Sequence, residues 1–390
     1  MDKRTLGILF FGLFLVMMGF GIIIPALPYY TLEMHGDART VGFLMASYSM
    51  MNVLFAPLWG RLSDRVGRKP IFLIGIAGLG LSFVLFGLAT SMEGLFGARI
   101  LGGMLGAAAL PTAFAIVGDR SPADQRAKSI GMLGAALGLG MVVGPAIGGI
   151  AGHFSHQMPF FVAGATSLLT CGFIATMLPG GLPPAVAHKP TWMQALKETG
   201  SALWPFYLLT FVQTFAFTNL EATFVLYAKD RFGLSIGQVG AVFATMALVS
   251  AAVQGGMVGK LVQKHGEANV VKAGAAILGT GLFSVILAAN WWALTMAMCW
   301  TGIGSALLRS ALATGVSKGA QAGQGTAMGM MQSFESMARV VGPAVGGMLY
   351  YSHHDRPYVV GALVMGLAFL FALTSLRPAI PPVEVANAAG

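Results

Sequence analysis

The chain has 390 residues, of which 56% are hydrophobic and only 9% are charged, and its mean hydropathy is +0.76. Because soluble domains carry about a quarter charged residues, this composition excludes an ordinary soluble protein. The formal net charge is +9, but the basic residues are distributed over loops between apolar runs, which does not favour a nucleic-acid-binding surface. Both cysteines, Cys171 and Cys299, lie inside apolar runs, so a disulfide framework is not expected.

Apolar runs close to the roughly 20 residues that cross a bilayer recur along the whole chain. They are continuously apolar rather than alternating, which predicts helices and not a β-barrel. Dividing the runs at clusters of glycine, proline and charge predicts twelve spans. They cover residues 5–29, 40–60, 70–89, 93–117, 127–151, 158–178, 203–228, 236–259, 270–288, 291–316, 325–349 and 357–376.

The distribution of Lys and Arg predicts the topology of this all-α polytopic membrane protein. With both termini in the cytoplasm, sixteen basic residues lie inside, four lie outside, and Arg99, Arg309 and Arg339 lie within spans. This bias is the one that the positive-inside rule requires. The longest polar connection separates six spans from six. We therefore expect an N-terminal bundle (1–180), a cytoplasmic linker (181–200) and a C-terminal bundle (201–390).

A nonamer is present in both halves, as VVGPAIGGI at 142–150 and VVGPAVGGM at 340–348. Other glycines align at nearly the same offset, which indicates two parallel repeats with equal orientation. Small residues allow helices to approach closely in a membrane, and proline interrupts the hydrogen-bond ladder. We expect helix packing at two sets of residues: Gly144, Pro145, Gly148 and Gly149, and Gly342, Pro343, Gly346 and Gly347.

The segment GRLSDRVGRKP, at 60–70, connects the second and third spans. Gly60 and Gly67 permit a sharp turn. One interpretation is a cytoplasmic gate, in which Asp64 contacts the N-terminus of a helix of the other half. In that gate, Arg65 or Arg68 would contact Asp119 or Asp124. The alternative interpretation is a basic loop that only fixes topology.

Five charged residues fall within predicted spans, where charge is costly and usually functional: Arg99, Glu221, Arg309, Glu335 and Arg339. Glu221 and Glu335 are the candidate proton carriers, and the alternative is a structural hydrogen bond or ion pair. Glu335 and Arg339 are four residues apart on one helix face with Gln332, so we expect them to pair. Arg309 lies toward the inner end of its span, where it either has a role or extends to the interface.

Four segments together resemble the twelve-span drug:proton antiporters of the major facilitator superfamily: GFGIIIPALPYY at 19–30, GRLSDRVGRKP at 60–70, GARILGGMLGAA at 97–108 and GLGMVVGPAIGG at 138–149. The resemblance implies two six-helix bundles that rock around a central cavity. It also implies that Arg99 takes part in proton handling. We expect a multi-pass protein of the bacterial cytoplasmic (inner) membrane.

The leading functional prediction is proton-coupled export of lipophilic, cationic drugs, and the alternative is proton-coupled transport of one solute such as a lipid or secreted metabolite. A membrane scaffold, a receptor and a channel are less consistent with buried carboxylates and paired halves. No Walker A loop or metal-ligand spacing is present, so we expect no enzyme activity and no cofactor beyond the proton gradient. We expect a monomer among lipids that binds protons and a small substrate. The predicted cavity residues are Met18, Tyr48, Asn52, Phe55, Gln213, Phe217 and Gln332.

Overall fold

A computed structural model describes residues 3–179, 203–319 and 324–376. These residues form helices and no strands, as the sequence predicts. The helices are α1 (Lys3–Glu33), α2 (Ala38–Val66), α3 (Arg68–Leu88), α4 (Met92–Gly106), α5 (Ala109–Arg120), α6 (Ala123–Gly152), α7 (Met158–Met177), α8 (Trp204–Phe232), α9 (Ile236–Gly256), α10 (Val258–His265), α11 (Glu267–Leu287), α12 (Trp291–Gly319), α13 (Gln324–Ser352) and α14 (Arg356–Ser375).

Among the described residues, 10 helical segments are long and apolar enough to cross a membrane. The two other predicted spans are α8 and α13, which have 29 residues each. At 1.5 Å per residue, each is about 43 Å long, which is sufficient to cross the hydrocarbon core. These two helices carry Glu221, Glu335 and Arg339, three of the four residues predicted to couple protons.

The span predicted at 93–117 is confirmed as one membrane-crossing segment, Met92–Arg120, which is divided into α4 and α5. The division is a turn at Ala107 and Ala108, whose backbone angles remain right-handed helical. Pro111 has no N–H group, so it cannot donate to the carbonyl of Ala107, which would be its partner in a continuous helix. The indole of Trp59, on α2, donates to the carbonyl of Met104 at 2.7 Å. The break is therefore bonded to a neighbouring helix.

Span two begins at a capping box, in which Asp37 and Thr40 satisfy each other's backbone N–H groups. Ser235 and Gln238 form the same box at the start of α9, 198 residues later. Burial alone would raise the pKa of Asp37, but hydrogen bonds from Arg39 and Thr40 outweigh it and hold that pKa below its usual value. Equivalent helices of the two halves thus start in equivalent ways.

The two halves pack alike. In the first half α1 lies along α6, and in the second half α8 lies along α13. Two further pairs join the halves, since α2 packs on α13 and α9 packs on α6. The linker expected at 181–200 lies outside the described residues, so the boundaries of the two bundles remain a prediction.

Candidate functional site

The first nonamer, on α6, contacts both halves of the protein. Gly144 faces α1, where an added Cβ would lie 2.6 Å from the carbonyl oxygen of Met18. Gly149 faces α9 of the other half, where an added Cβ would lie 3.2 Å from the Cα of Gly237. From the opposite side, a Cβ on Gly240 would lie 2.6 Å from the carbonyl oxygen of Pro145. These residues leave no space for a side chain between α6 and α9.

The second nonamer, on α13, repeats this arrangement. Gly342 faces α8 of its own half, where an added Cβ would lie 2.9 Å from the carbonyl oxygen of Phe215. A Cβ on Gly347 would contact the carbonyl of Ala38 on α2, in the other half, and a Cβ on Gly42 would contact the carbonyl of Pro343. The remaining glycines of the two nonamers, Gly148 and Gly346, also face the first span of their own half. Each nonamer therefore packs on the first span of its own half and the second span of the other. We call these two contacts, α6–α9 and α2–α13, the glycine seams.

Side chains reinforce the end of the molecule at which the seams lie. Tyr29 donates a hydrogen bond to the carbonyl of Leu234, which links α1 to the loop between α8 and α9. The guanidinium carbon of Arg39 lies 3.7 Å from the ring centroid of Tyr351, and Asp37 accepts two hydrogen bonds from Arg39 at 2.7 and 2.9 Å. We call this end the closed end. It contains the residues between α1 and α2 and the loop between α8 and α9.

The same helices separate toward their other ends. A Cβ added to Gly131, Gly134 or Gly138 on α6 would have no heavy atom within 4 Å. The same holds for Gly255 on α9 and Gly329 on α13. We call this the open end. At these positions the glycines of α6, α9 and α13 have no neighbouring helix against them, in contrast to the glycine seams.

The predicted cytoplasmic gate lies at the open end, and its charges pair within one half. The Arg68 Nε atom lies 2.9 Å from Asp119 Oδ2, as one of the predicted pairings requires. Arg68 Nη1 lies 2.5 Å from Asp64 Oδ1 and also donates to Ser63 at 2.7 Å. Arg65 is exposed.

In the described state the carboxylate of Asp64 binds Arg68 of its own half, and its contact with a helix of the other half stays a prediction for the state in which this end is closed. Gly67, at φ +109°, turns the chain so that α3 starts beside the last turn of α2 and brings Arg68 to Asp64. A Cβ on Gly60 would have no neighbour within 4 Å, which is consistent with separated halves at this end. The side chain of Asp124 lies outside the described residues.

Two of the seven predicted cavity residues share a small pocket in the first half. Tyr48 and Asn52 line a cavity of about 40 Å³ beside the break in span four. Its other lining residues all belong to the first half: Val16, Met17, Phe20, Leu79, Gly106, Ala107, Ala109, Leu110 and Pro111. Met18 is not among them, because its backbone lies against Gly140 and Gly144. Phe55 is also absent from this lining.

The remaining predicted cavity residues lie in the second half. Gln213 is buried and donates to Ser305 Oγ at 3.1 Å, which joins α8 to α12. Phe217 is half-buried, and Gln332 is exposed. Sequence spacing identified the face of each helix but could not show how far apart those faces lie.

The charges of the second half include one ion pair between helices. Glu335 is buried, and its Oε1 atom lies 3.7 Å from Nε of Arg309 on α12. Arg339 interacts electrostatically with Glu221 on α8 and with Tyr48 on α2. The expected pairing of Glu335 with Arg339 on one helix is therefore corrected. Glu335 instead pairs with an arginine from another helix.

Arg99 lies near the closed end of α4 and is 7% exposed. Its guanidinium carbon is 5.1 Å from the ring centroid of Phe86 and 5.8 Å from that of Tyr48. Among the described residues, its Nε atom has no hydrogen-bond partner. Arg99 is thus an interior cation stabilised by aromatic rings, and both Arg99 and Arg339 interact electrostatically with Tyr48.

Comparison with known proteins identifies the family. The sequence model of the Major Facilitator Superfamily matches residues 9–207 and matches again at 206–390. This chain belongs to the major facilitator superfamily.

Individual members of the superfamily match over nearly the whole chain. Multidrug resistance protein 2 of Bacillus subtilis is 29% identical over 93% of this chain and 93% of its own length. Quinolone resistance protein NorA of Staphylococcus aureus is 26% identical over 94% of this chain and 96% of its own. The fold also matches the crystal structure of a bacterial homologue of the human lysosomal transporter Spinster, in an inward-facing and occupied conformation. The TM-score is 0.82 at 16% sequence identity, and the match covers 97% of this chain and 98% of that chain.

The superfamily is one of multi-pass membrane transporters without catalytic activity, and our assignment of fold and family is confirmed. Within that fold, sequence reasoning missed one part of the charged site. Arg309 was interpreted only as a residue that extends to the interface or has an unspecified role. Its spacing from Ser305, four residues earlier on α12, places both on one helix face, and that polar pair was the available signal.

Proposed function

We propose that this protein exports lipophilic, cationic drugs or similar small molecules by alternating access, driven by the proton gradient. The difference between the two ends of the molecule supports this proposal most directly. Glycine seams seal the closed end, whereas the same helices diverge at the open end. The names of the relatives, a multidrug resistance protein and a quinolone resistance protein, support drugs as the substrate class.

The orientation follows from the predicted topology of a bacterial inner-membrane protein with both termini in the cytoplasm. The open end carries the basic segment at 60–69, so the positive-inside rule assigns it to the cytoplasm. The described state is then inward-open and ready to take up substrate from the cytoplasm or inner leaflet. Closing this end would bring the Asp64–Arg68–Asp119 cluster toward the second half, where it acts as the gate.

The proton carriers in this proposal are Glu221 and Glu335. Carboxylates in the membrane interior are costly and are retained where they carry out a function. Each has an arginine partner that can stabilise its charged form, Arg339 for Glu221 and Arg309 for Glu335. Protonation would neutralise the carboxylate, leave the positive charge of the arginine unbalanced and weaken the attraction between the helices. Arg99 contributes a fixed positive charge close to Tyr48.

Transport in proteoliposomes tests the proposal. Purified protein is expected to move a lipophilic dye under an imposed pH gradient, and Glu221→Gln and Glu335→Gln are each expected to abolish the dependence on the gradient. Glu93→Gln is a matched control, because Glu93 is exposed at the closed end. Full coupled transport by both interior variants would show that the proton assignment is wrong. Growth inhibition of a deletion strain by one compound only, rather than by many unrelated ones, would favour the single-solute alternative.

A further inference from the structure

The ion pair of Arg309 and Glu335 is longer than a hydrogen-bonded salt bridge. The two charged atoms are 3.7 Å apart, beyond the 2.7–3.2 Å typical of N–H···O hydrogen bonds. The Glu335 side chain is only 6% exposed, whereas 54% of the Arg309 side chain is exposed. A guanidinium has five N–H donors in a planar fork. Most of that donor capacity is therefore available to a ligand, while the buried carboxylate holds the arginine in place.

The pair lies deep in the molecule and not at a membrane interface. Arg309 is 18 residues from the start of α12, and Glu335 is 17 residues from the end of α13. At 1.5 Å per residue, both lie about 26 Å from the closed end, so they share one level. Arg309 also lies one turn from Ser305, which bonds Gln213 of α8. An arginine that merely extended to the interface would not pair with a buried carboxylate at this depth.

The surroundings of the pair lie on the open side of the molecule. One turn before Glu335 on α13, Gln332 is exposed. Further toward the open end, a Cβ on Gly329 would have no neighbour within 4 Å. In the first half, the repeat places Leu137 at the position that corresponds to Glu335. The charged pair is therefore a feature of the second half alone, next to open space.

The overall charge of the interior favours a ligand with a negative group. Within the described spans, three arginines (Arg99, Arg309 and Arg339) face two glutamates (Glu221 and Glu335). Arg339 already interacts with Glu221 and Tyr48. A substrate whose only charge is positive thus meets an excess of positive charge, and at low dielectric this repulsion is substantial. A carboxylate on the substrate would be stabilised.

We propose that Arg309 sets the charge selectivity of the cavity: held by Glu335, its guanidinium binds an acidic group of the substrate and disfavours substrates that carry positive charge alone. This inference rests on the proposed function. It narrows the proposed substrates to lipophilic compounds that carry a carboxylate as well as a positive charge. Guanidinium and carboxylate match in a planar, two-bond geometry. Arg309 is then a specificity residue, and Glu335 is its positioning residue.

A matched pair of xanthene dyes tests the inference, one with its aryl carboxyl group free and one with the same group esterified. The two differ only by the acidic group. Their binding to purified protein is measured by fluorescence anisotropy at neutral pH, without a proton gradient. Wild-type protein is expected to bind the free acid more tightly than the ester. Arg309→Gln is expected to weaken binding of the acid roughly ten-fold or more while leaving the ester equal or tighter, because it removes a charge-assisted contact.

Three further variants separate selectivity from structural damage. Arg309→Lys keeps the charge but loses the fork, so it is expected to retain part of the preference for the acid. Glu335→Gln keeps the guanidinium but removes the charge that positions it, so it is expected to reduce that preference without abolishing it. Lys318→Gln removes a positive charge from the same helix at its open end, where Lys318 pairs with Glu267 at 2.9 Å, and is expected to leave the acid-to-ester ratio unchanged.

The inference is overturned if wild-type protein binds neither dye, if it binds the ester as tightly as the acid, or if Arg309→Gln changes both affinities by the same factor. Its failure is distinguishable from failure of the proposed function. If wild-type protein does not transport dye under a pH gradient, the proposed function is wrong. The ratio of acid to ester affinity is measured without transport, so it tests the inference separately. Normal coupled transport with an unchanged ratio in Arg309→Gln contradicts only the charge-selectivity inference.

Discussion

Replacing Gly240 by alanine tests whether the glycine seams hold the closed end together. The added Cβ would lie 2.6 Å from the carbonyl oxygen of Pro145 and 2.9 Å from the Cα of Gly149. Both neighbours are backbone atoms of α6, so no side-chain rotation can relieve the contact. Helices α6 and α9 must therefore move apart.

The size of the effect follows from these distances. Carbon and carbonyl oxygen approach to about 3.3–3.6 Å, so the helices must separate by roughly 0.7–1.0 Å at the seam. Overpacking of this kind costs about 1–3 kcal/mol. The cost falls only on the conformation in which the closed end is sealed. Gly240→Ala is therefore expected to shift the equilibrium toward opening of that end by roughly 5- to 150-fold.

Pulsed electron paramagnetic resonance can measure this shift. Spin labels are placed at Phe154 and Ser235, which are exposed on opposite halves at the closed end, with Cys171 and Cys299 replaced by alanine. Gly240→Ala is expected to add a population with a longer label-to-label distance.

The matched control for this experiment is Gly255→Ala, because it lies on the same helix, α9, and its Cβ meets nothing within 4 Å. A distance distribution identical to wild type in folded Gly240→Ala would refute the reasoning. An equal shift in Gly255→Ala would attribute the effect to helix propensity instead.

Three more substitutions have definite expected outcomes. Arg39→Gln removes the cation–π contact with Tyr351 across the halves and is expected to broaden the same distance distribution, whereas an unchanged distribution would show that the glycine seam suffices alone. Asp119→Asn weakens the 2.9 Å charge-assisted hydrogen bond from buried Arg68 and is expected to lower the free energy of unfolding by about 1–3 kcal/mol. The measurement is a decrease in Tm, and an unaltered Tm would contradict this prediction. Trp59→Phe removes the indole that donates to the carbonyl of Met104 in span four and is expected to cost about 1 kcal/mol. A Tm equal to wild type would mean that this carbonyl finds another donor.

The sequence predicted the helices well where one local rule decides the outcome. Apolar runs gave the spans, and the capping boxes at Asp37 and Ser235 set two of their starts. Span four was predicted in its extent but not in its division into α4 and α5, although Pro111 was visible. A proline can bend a helix or break it, and the tertiary bond from Trp59 accompanies the break seen here.

The candidate site was predictable in its residues and not in its pairings. Glu335 and Arg339 are neighbours on one helix, and a helical wheel brings them together. In the structure Glu335 instead pairs with Arg309 from α12, while Arg339 interacts electrostatically with Glu221 from α8. Contacts between helices depend on how each helix is rotated and placed relative to its neighbour, and no periodicity within one chain segment records that.

The sequence by itself determined that this is an all-helical, internally repeated membrane transporter of a known superfamily, because hydrophobicity, repeat and motif are local or linear properties. Only the tertiary structure decided what the repeated nonamer does. Both copies contain the same small residues, and each contacts its own half with one set of glycines and the other half with Pro145 and Gly149, or Pro343 and Gly347. Which end of the molecule is closed follows from those contacts, since backbones can approach so closely only where neither helix presents a side chain.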